Sequence, residues 1–403
     1  MKFLVITQDL RISGTSAGIV VRSFLAKFKK NFSNVRMDVL YISHFDYSKD
    51  DLKTLSTDNI TAEIVNSKIP FHIKWINRFT SRFFDYLYAD EYIHRKYAKH
   101  ISKVDYQNYE HVFVFSSGVK HETILATYKL PILKRAIIIF HDPYPHAWYD
   151  VKSSKIHKNE FLRLKKMIGV VRQARACGAT AFYMARDLQY LYASNKYFHT
   201  LPHFFEPGAF NLTNTNQVRK KKAKIQISYQ GALMLGRNIF NVLEAYTHLI
   251  DQKPELRSNT EFVLRVKGDG IEELRQRYSH INNIIILHTL DFSNSYNEQV
   301  YESDINIILE NGPHYSNTLP GKVPLMAATG KPFLIISPQR SEIRRILNVN
   351  DHAIVDMNSI TEIKNKLESL LNLIAKGKEF ESPFGNYFSD DAFKQGVNNL
   401  LKY

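Results

Sequence analysis

The chain has 403 residues, 44% hydrophobic and 23% charged, which excludes extended disorder and, being too long for one ordinary core, points to two α/β domains. Lys+Arg 54 against Asp+Glu 39 gives a formal net charge of +15; such a surface draws nucleic acid, anionic lipid or phosphorylated substrates, and plain solvated charge explains it equally well. The lone cysteine, Cys177, excludes an intrachain disulfide framework and a thiolate metal cluster and fits a reducing cytoplasm.

Aromatic residues make up 13% of the chain, with Tyr 23 and Phe 26. Rings interleaved with cations suit a membrane interface, and they also suit stacking on sugars or bases. The opening MKFLVITQDLRISG has a short apolar run broken by Gln8, Asp9 and Arg11. It reads as a first strand, being too short for a signal-peptide core. No stretch approaches the ~18 to 20 apolar residues of a spanning helix, so any membrane contact is expected at the surface.

In chain order, Phe3 to Thr7 is a buried-strand run. A Gly/Ser loop from Ser13 to Gly18 follows, then a helical pattern through Val20, Phe24, Leu25 and Phe28. Val35 to Ile42, Val112 to Phe115 and Ala136 to Phe140 are further strands. Between them, His72 to Ile101 carries Trp75, Phe79, Phe83 and Leu87 at helical spacing, with Lys74, Arg78 and Arg82 alongside. Lys152 to Ala176 is a second basic helix candidate, with Phe161, Leu164, Ile168 and Val171 as its apolar stripe. A core-facing helix explains each of the two segments, and a membrane-surface helix explains both together.

A domain boundary is expected near Leu201 to Gln217, where two Pro, a Gly and a polar tail precede the basic run Arg219 to Lys224. Strand and helix then alternate again. Strands are predicted at Ile225 to Tyr229, Glu261 to Val266, Ile284 to Leu287, Ile305 to Leu309 and Phe333 to Ile336. Helices are predicted at Phe240 to Ile250, Glu272 to Tyr278, Ile360 to Ala375 and Asp390 to Leu401. Such alternation indicates doubly wound parallel sheets. The expected division is 1–205, 206–385 and a terminal helix in 386–403 that returns to the first domain.

The most specific motif is LPGKVPLMAATGKPFLI, Leu319 to Ile335. A helix beginning near Lys322 aims free backbone N–H groups at an anion, and Lys322 adds a point charge for phosphate. A plain helix-to-strand connection accounts for the same residues. The segment resembles the donor-site signature of the retaining nucleotide-sugar glycosyltransferases with the GT-B fold, the group 1, family 4-like enzymes. VYESDINIILENGPHYSN before it is similar to the family's run into that loop. SYQGALMLGRNIFNVLEAY resembles the opening of the family's second domain, with Gly231 at a tight turn and Arg237 in place of the residue that meets the donor diphosphate. LRVKGDGIEEL matches the strand and turn around Gly268.

The resemblance implies two facing Rossmann-like doubly wound domains, with Arg237 and Lys322 clamping the donor phosphates and Gly231, Gly268, Asn317 and Thr318 lining the donor site. It also implies that the loop with Gly14, Ser16 and Gly18 serves donor and acceptor, and that His141, following Ala136 to Phe140, faces the donor sugar. Ser117, His121, Asp142 and Tyr144 become acceptor-side candidates; Tyr144, His146, Trp148 and Tyr149 wall an acceptor pocket or fill a loop. The chain departs from the pattern where many members carry two glutamates, since Asn317 and Leu325 stand there; Glu310 is the candidate substitute. There is no Asp-x-Asp signature and no zinc-type His pair, so no metal or other cofactor is expected.

The function expected is transfer of a sugar, with retention, from a nucleoside-diphosphate sugar to the hydroxyl of a glycan or glycolipid, a lipid-linked or surface polysaccharide intermediate. The expected place is the cytoplasm, at the inner face of an anionic membrane, with no nucleic-acid partner. A nucleotide-sugar 2-epimerase of the same fold, or a non-catalytic nucleotide-sugar or nucleic-acid binding protein on this scaffold, are the alternatives.

Overall fold

The computed structural model of the chain describes residues 1–12, 16–117, 120–145, 158–192, 195–268, 270–347 and 352–402. They form two compact units, one from the chain up to Ala209 together with the segment from Ser389 onward, the other Phe210–Phe388.

In chain order the first unit contains β1 (Lys2–Thr7), α1 (Ser16–Asn31), β2 (Arg36–Ser43), α2 (Lys49–Lys53), β3 (Asn59–Ile64), α3 (Phe71–Phe83), α4 (Tyr88–Ile101) and β4 (His111–Phe115). Then come α5 (Glu122–Ala126), β5 (Ala136–Phe140), α6 (Lys158–Gln173), β6 (Ala176–Ala179), α7 (Phe182–Leu191) and β7 (Phe198–Thr200). The strands make one seven-stranded sheet, β3-β2-β1-β4-β5-β6-β7, with every pairing parallel. Strands β4 (HVFVF) and β5 (AIIIF) are buried along their whole length, the pattern of a sheet covered on both faces. Helix α1 turns Val20, Val21, Phe24, Leu25 and Phe28 inward. It lies so close to the chain after β1 that a Cβ on Gly18 would fall 2.1 Å from the Arg11 carbonyl oxygen.

The second unit repeats the plan. It contains β8 (Ile225–Leu233), α8 (Phe240–Gln252), α9 (Pro254–Asn259), β9 (Thr260–Gly268), α10 (Ile271–Tyr278), β10 (Ile284–Leu287), α11 (Phe292–Asn297) and β11 (Ile305–Leu309). Next are β12 (Tyr315–Ser316), α12 (Val323–Thr329), β13 (Phe333–Ser337), β14 (Arg340–Ser341), α13 (Glu342–Leu347), β15 (Ile354–Asp356) and α14 (Ile360–Ala375). Its six-stranded sheet runs β10-β9-β8-β11-β13-β15 and is parallel. Helices α8 and α14 close one core through Val242, Tyr246, Leu249, Ile363 and Leu367 against Ile227, Phe262, Leu264 and Leu334.

The last helix, α15 (Asp390–Leu401), packs on the first unit. Ser389 caps it by accepting from the Ala392 N–H. Its Phe393 meets Phe24 and Phe204 edge-on, and Lys27 pairs with Asp390 at 2.6 Å.

Two expectations are corrected. The segment His72 to Ile101 is two helices, broken at Phe84–Leu87 where Asp85 takes φ 50°. The aromatics of α3 are not core-facing, only Ile73 being buried there, whereas Tyr97 of α4 is buried. The second basic helix ends at Gln173, and Ala176 opens a strand that small residues hide from sequence reading; the part expected at 152–157 lies outside the described residues.

Candidate functional site

In a doubly wound sheet a ligand crevice opens at the carboxyl ends of the two strands where the winding reverses. Those strands are β1 and β4 in the first unit and β8 and β11 in the second.

At the β8 end the strand runs on to Leu233, so Gly231 lies within it, beneath the Tyr229 hydroxyl, and not at the tight turn expected. The turn comes at Met234 to Arg237, with Leu235 at φ 56° and Gly236 at φ 75°. A Cβ on Gly236 would stand 2.3 Å from the Gly312 carbonyl oxygen, so this turn lies directly on the loop after β11. The Gly312 N–H donates back to Leu235 O at 3.1 Å. The contact fixes Arg237, whose Nε donates to Asn311 Oδ1 (3.0 Å) and Nη1 to Ala232 O (3.3 Å). Asn311 also donates to Thr318 Oγ1 at 3.3 Å. The structure therefore joins two predicted residues, Arg237 and Thr318, through one that sequence reading missed.

Lys322 caps the seven-residue helix α12, and Gly330 ends it in the left-handed conformation. Lys322 Nζ reaches Gln299 Oε1 at 3.4 Å. Part of the side chain is open to solvent, yet its ammonium end lies deep enough that desolvation, and then the charge of Arg237, bring its pKa down to about 7. Among the described residues no carboxylate pairs with Arg237 or Lys322. Two neighbouring cations without a counter-charge make a place for an anion.

Gln299 is held from behind. Its Nε2 donates to Ser295 Oγ, which donates to Gln230 Oε1; Gln230 Nε2 donates to Glu298 Oε1. Glu298, fully buried, takes a forked pair from Arg265 at 3.0 and 2.7 Å. Gln299 and Asn311 gave no sequence signal, because each acts through a contact distant along the chain.

The remaining second-unit candidates are placed as follows. Asn317 is buried beside Thr318, and Leu325 packs inside α12. Gly268 ends β9 at φ 109°; Asp269 lies outside the described residues. Glu310 follows β11 and is fully buried, its Oε2 accepting from Ser337 Oγ at 2.6 Å while Oε1 has no partner. Burial lifts its pKa to about 7.

In the first unit, His141 follows β5 with its N–H donating to Ser116 Oγ at 2.8 Å. Its ring is buried, neither nitrogen has a hydrogen-bond partner among the described residues, and the ring centroid lies 5.6 Å from that of His203. Desolvation, then the neighbouring imidazoles, hold its pKa well below the usual histidine value, so it is a neutral acceptor or donor. His121 caps α5 at φ 51° with its ring 4.8 Å from Tyr144. Both are interior, and the Tyr144 carbonyl accepts from the Tyr192 hydroxyl at 2.6 Å. Ser117 and Asp142 are half-buried and Ser16 is exposed at the start of α1. Gly18 serves the close packing described above. Gly14, Gly118, His146, Trp148 and Tyr149 lie outside the described residues. Glu122, beside His121 a candidate from the sequence, belongs to a set at the β1 end whose other members the sequence did not single out: Gln8 Nε2 donates to Glu122 Oε2 (2.9 Å), and His44 contacts the Tyr97 hydroxyl (3.1 Å). No group of three or more His, Cys, Asp or Glu side chains suited to a metal ion occurs among the described residues.

No family model matches the chain, and no curated protein matches it. Solved structures do. Trehalose-6-phosphate synthase from E. coli bound with UDP-2-fluoro glucose superposes with TM-score 0.63 at 12% identity, over 100% of this chain and 97% of that one. A glycosyltransferase from Rickettsia africae ESF-5 gives TM-score 0.58 at 14% identity, over 99% and 96%. UDP-GlcNAc 2-epimerase from Neisseria meningitidis bound to UDP-GlcNAc gives 0.56 at 12% identity, over 100% of both chains. At such identities the likeness is one of fold, and the fold is GT-B: two Rossmann-like α/β units with parallel sheets.

Proposed function

We propose that the chain is a glycosyltransferase that moves a sugar, with retention, from a nucleoside-diphosphate sugar to an acceptor hydroxyl. The observation that carries this reading is the pair Arg237 and Lys322, two cations without a carboxylate at the switch-point end of the second sheet. Both would neutralise the charge that builds on the departing diphosphate, the largest single contribution such a site can make. Gly231, Gly268, Asn317 and Thr318 accompany them on the donor side, and Glu310 is assigned to the sugar in place of the two missing glutamates. The acceptor is assigned to the first unit, near Ser16, Ser117, His121, Asp142 and Tyr144, with His141 as a neutral hydrogen-bonding group toward the transferred sugar. The acceptor is a glycan or glycolipid, and the reaction is assigned to the cytoplasm. Because the two cations carry the phosphate charge, turnover needs no divalent metal, and EDTA is expected to leave it unchanged.

The GT-B neighbours include a 2-epimerase, so the deciding experiment offers a panel of nucleotide-sugars with and without glycolipid acceptors. A transferase consumes donor fast only with acceptor and gives a product of retained configuration. Isomerisation of a donor without acceptor establishes the epimerase reading, and binding without turnover establishes a non-catalytic protein.

A further inference from the structure

Helix α3 is built unlike the other helices among the described residues. Phe71, Trp75, Phe79 and Phe83 recur every fourth residue, which sets them along one side of the helix. All are exposed, Phe71 at 81%, Trp75 and Phe83 at 64% and Phe79 at 51%, and Phe84 continues the row at 67%. Ile73 alone is buried, and Asn77 Oδ1 ties the helix down by accepting from the Ala89 N–H. The row is therefore presented outward by a helix anchored on its opposite side. A contiguous exposed apolar patch of this kind marks an interaction surface.

The charges beside the rings select the partner. Lys74, Arg78 and Arg82 form a second row next to the first, and no Asp or Glu occurs from Val65 to Phe84. None of the three pairs with a carboxylate among the described residues; Arg82 only stacks over Phe83, 5.7 Å from its centroid. Helix α6 is the counter-example. Its Arg163 bonds Asp90, its Lys166 bonds Glu91 and its Lys158 pairs with Asp85. Three of the five cations of α6 are spent on carboxylates of its neighbours; those of α3 face outward beside aromatic rings. Among the described residues no helix is long and apolar enough to cross a membrane, so a lipid surface is met from outside.

We propose that α3 docks the protein on an anionic lipid membrane, lying in the plane of the interface. Phe71, Trp75, Phe79, Phe83 and Phe84 enter the boundary between headgroups and acyl chains, and Lys74, Arg78 and Arg82 meet the lipid phosphates. The docking argument stands on α3 alone. It rests on the proposed function only in holding the acceptor domain against a membrane-borne acceptor.

The test is flotation of the full chain with vesicles of phosphatidylcholine, with and without phosphatidylglycerol. Binding is expected only with the anionic lipid, falling as salt rises, with Trp75 fluorescence quenched by brominated acyl chains. Neutralising Lys74, Arg78 and Arg82 together to Gln should weaken binding about a hundred-fold, since each such cation contributes ~1 kcal/mol at an anionic surface. Trp75→Ser with Phe79→Ser should abolish the quenching and weaken binding at least about ten-fold. Circular dichroism on these surface variants confirms that they fold. Equal binding to neutral vesicles, no binding by the parent chain, or undiminished binding by the triple variant each overturns the proposal. So does a dimer that the same substitutions break without any lipid binding. Donor turnover in solution is read separately. Turnover with no vesicle binding sinks docking alone; vesicle binding with no donor use sinks the transferase reading alone.

Discussion

Two cations of the second unit, one buried and one partly open to solvent, are handled in opposite ways. Arg265 lies under the sheet ends with a fully buried carboxylate, Glu298, forked onto it, and Gln230 and the Arg219 N–H complete that carboxylate's bonding. Lys322, at the other end of the same hydrogen-bond chain, has among the described residues the neutral Gln299 and a repelling neighbour, Arg237, and no carboxylate. A buried charge is tolerated when its opposite is supplied within the protein. Where it is left out, the structure holds an electrostatic cost that an incoming anion relieves. One end of the network is a brace and the other is a socket.

The largest expected effects set brace against socket. Glu298→Ala strands Arg265 and should cost about 3–5 kcal/mol of stability, read as a collapse of the melting temperature. Lys322→Ala should leave that temperature unchanged or higher while cutting transfer roughly 10²- to 10³-fold. Equal destabilisation by the two substitutions would erase the distinction, and near-parent turnover in both Lys322→Ala and Arg237→Ala would remove the socket altogether.

A mid-sized effect is expected with pH. Lys322 holds its proton with a pKa of about 7, against 10.5 for an open lysine. Between those values the unfolded chain binds more protons than the folded one, so this group makes stability rise with pH across that window. Lys322→Met should flatten the rise, seen as melting temperatures at pH 7 and pH 9 drawing together. An anion at the site favours the charged amine, so affinity for a nucleoside diphosphate should fall as pH climbs above 7, and binding at pH 8 should take up a proton. Calorimetry in buffers of differing ionisation enthalpy reads that proton directly, and pH-independent affinity would show that Lys322 does not meet the phosphate.

The smallest effects belong to the residues that aim the cations. Gln299→Ala and Asn311→Ala each remove the hydrogen bond to a cation, worth about 1 kcal/mol, together with the amide's own bond to Ser295 or Thr318. Each should reduce turnover several-fold with little change in stability. Gln299→Glu is sharper, since a carboxylate there pairs with Lys322, raises its pKa and competes with the phosphate. The flat pH dependence and weakened nucleoside-diphosphate binding expected of that variant would not follow from a merely structural role.

What the sequence made legible follows from how local each signal is. Strands Ala136–Phe140 and Ile284–Leu287, continuous apolar runs, and Ile305–Leu309, apolar but for Asn306, were readable to the residue. Strands β3, β6 and β7 were not. The first is a half-exposed edge, the second is ACGA with hardly a side chain to read, and the third has three residues. Periodicity located the aromatic row of α3 but could not tell inward from outward, because a stripe has the same spacing whether it faces a core or a membrane. Arg237 and Lys322 stood out through motifs of neighbouring residues. Gln299, Asn311 and the Glu298–Arg265 pair are joined only by the fold, and Gly231 was misjudged because its strand runs two residues past it.

The contact between Gly236 and Gly312 has a consequence for how this protein can change over time. Gly236 has no room for a side chain beside the Gly312 carbonyl, and a Cβ on Gly312 would fall 2.5 Å from Met357 Sδ. Gly236 cannot drift without displacing the turn that carries Arg237, since the backbone itself fills the space, whereas a side chain at Gly312 would crowd only the flexible end of Met357. Descendants of this chain can pair a change at Gly312 with one at Met357. Gly236 binds them to inherit the spacing of the turn unchanged.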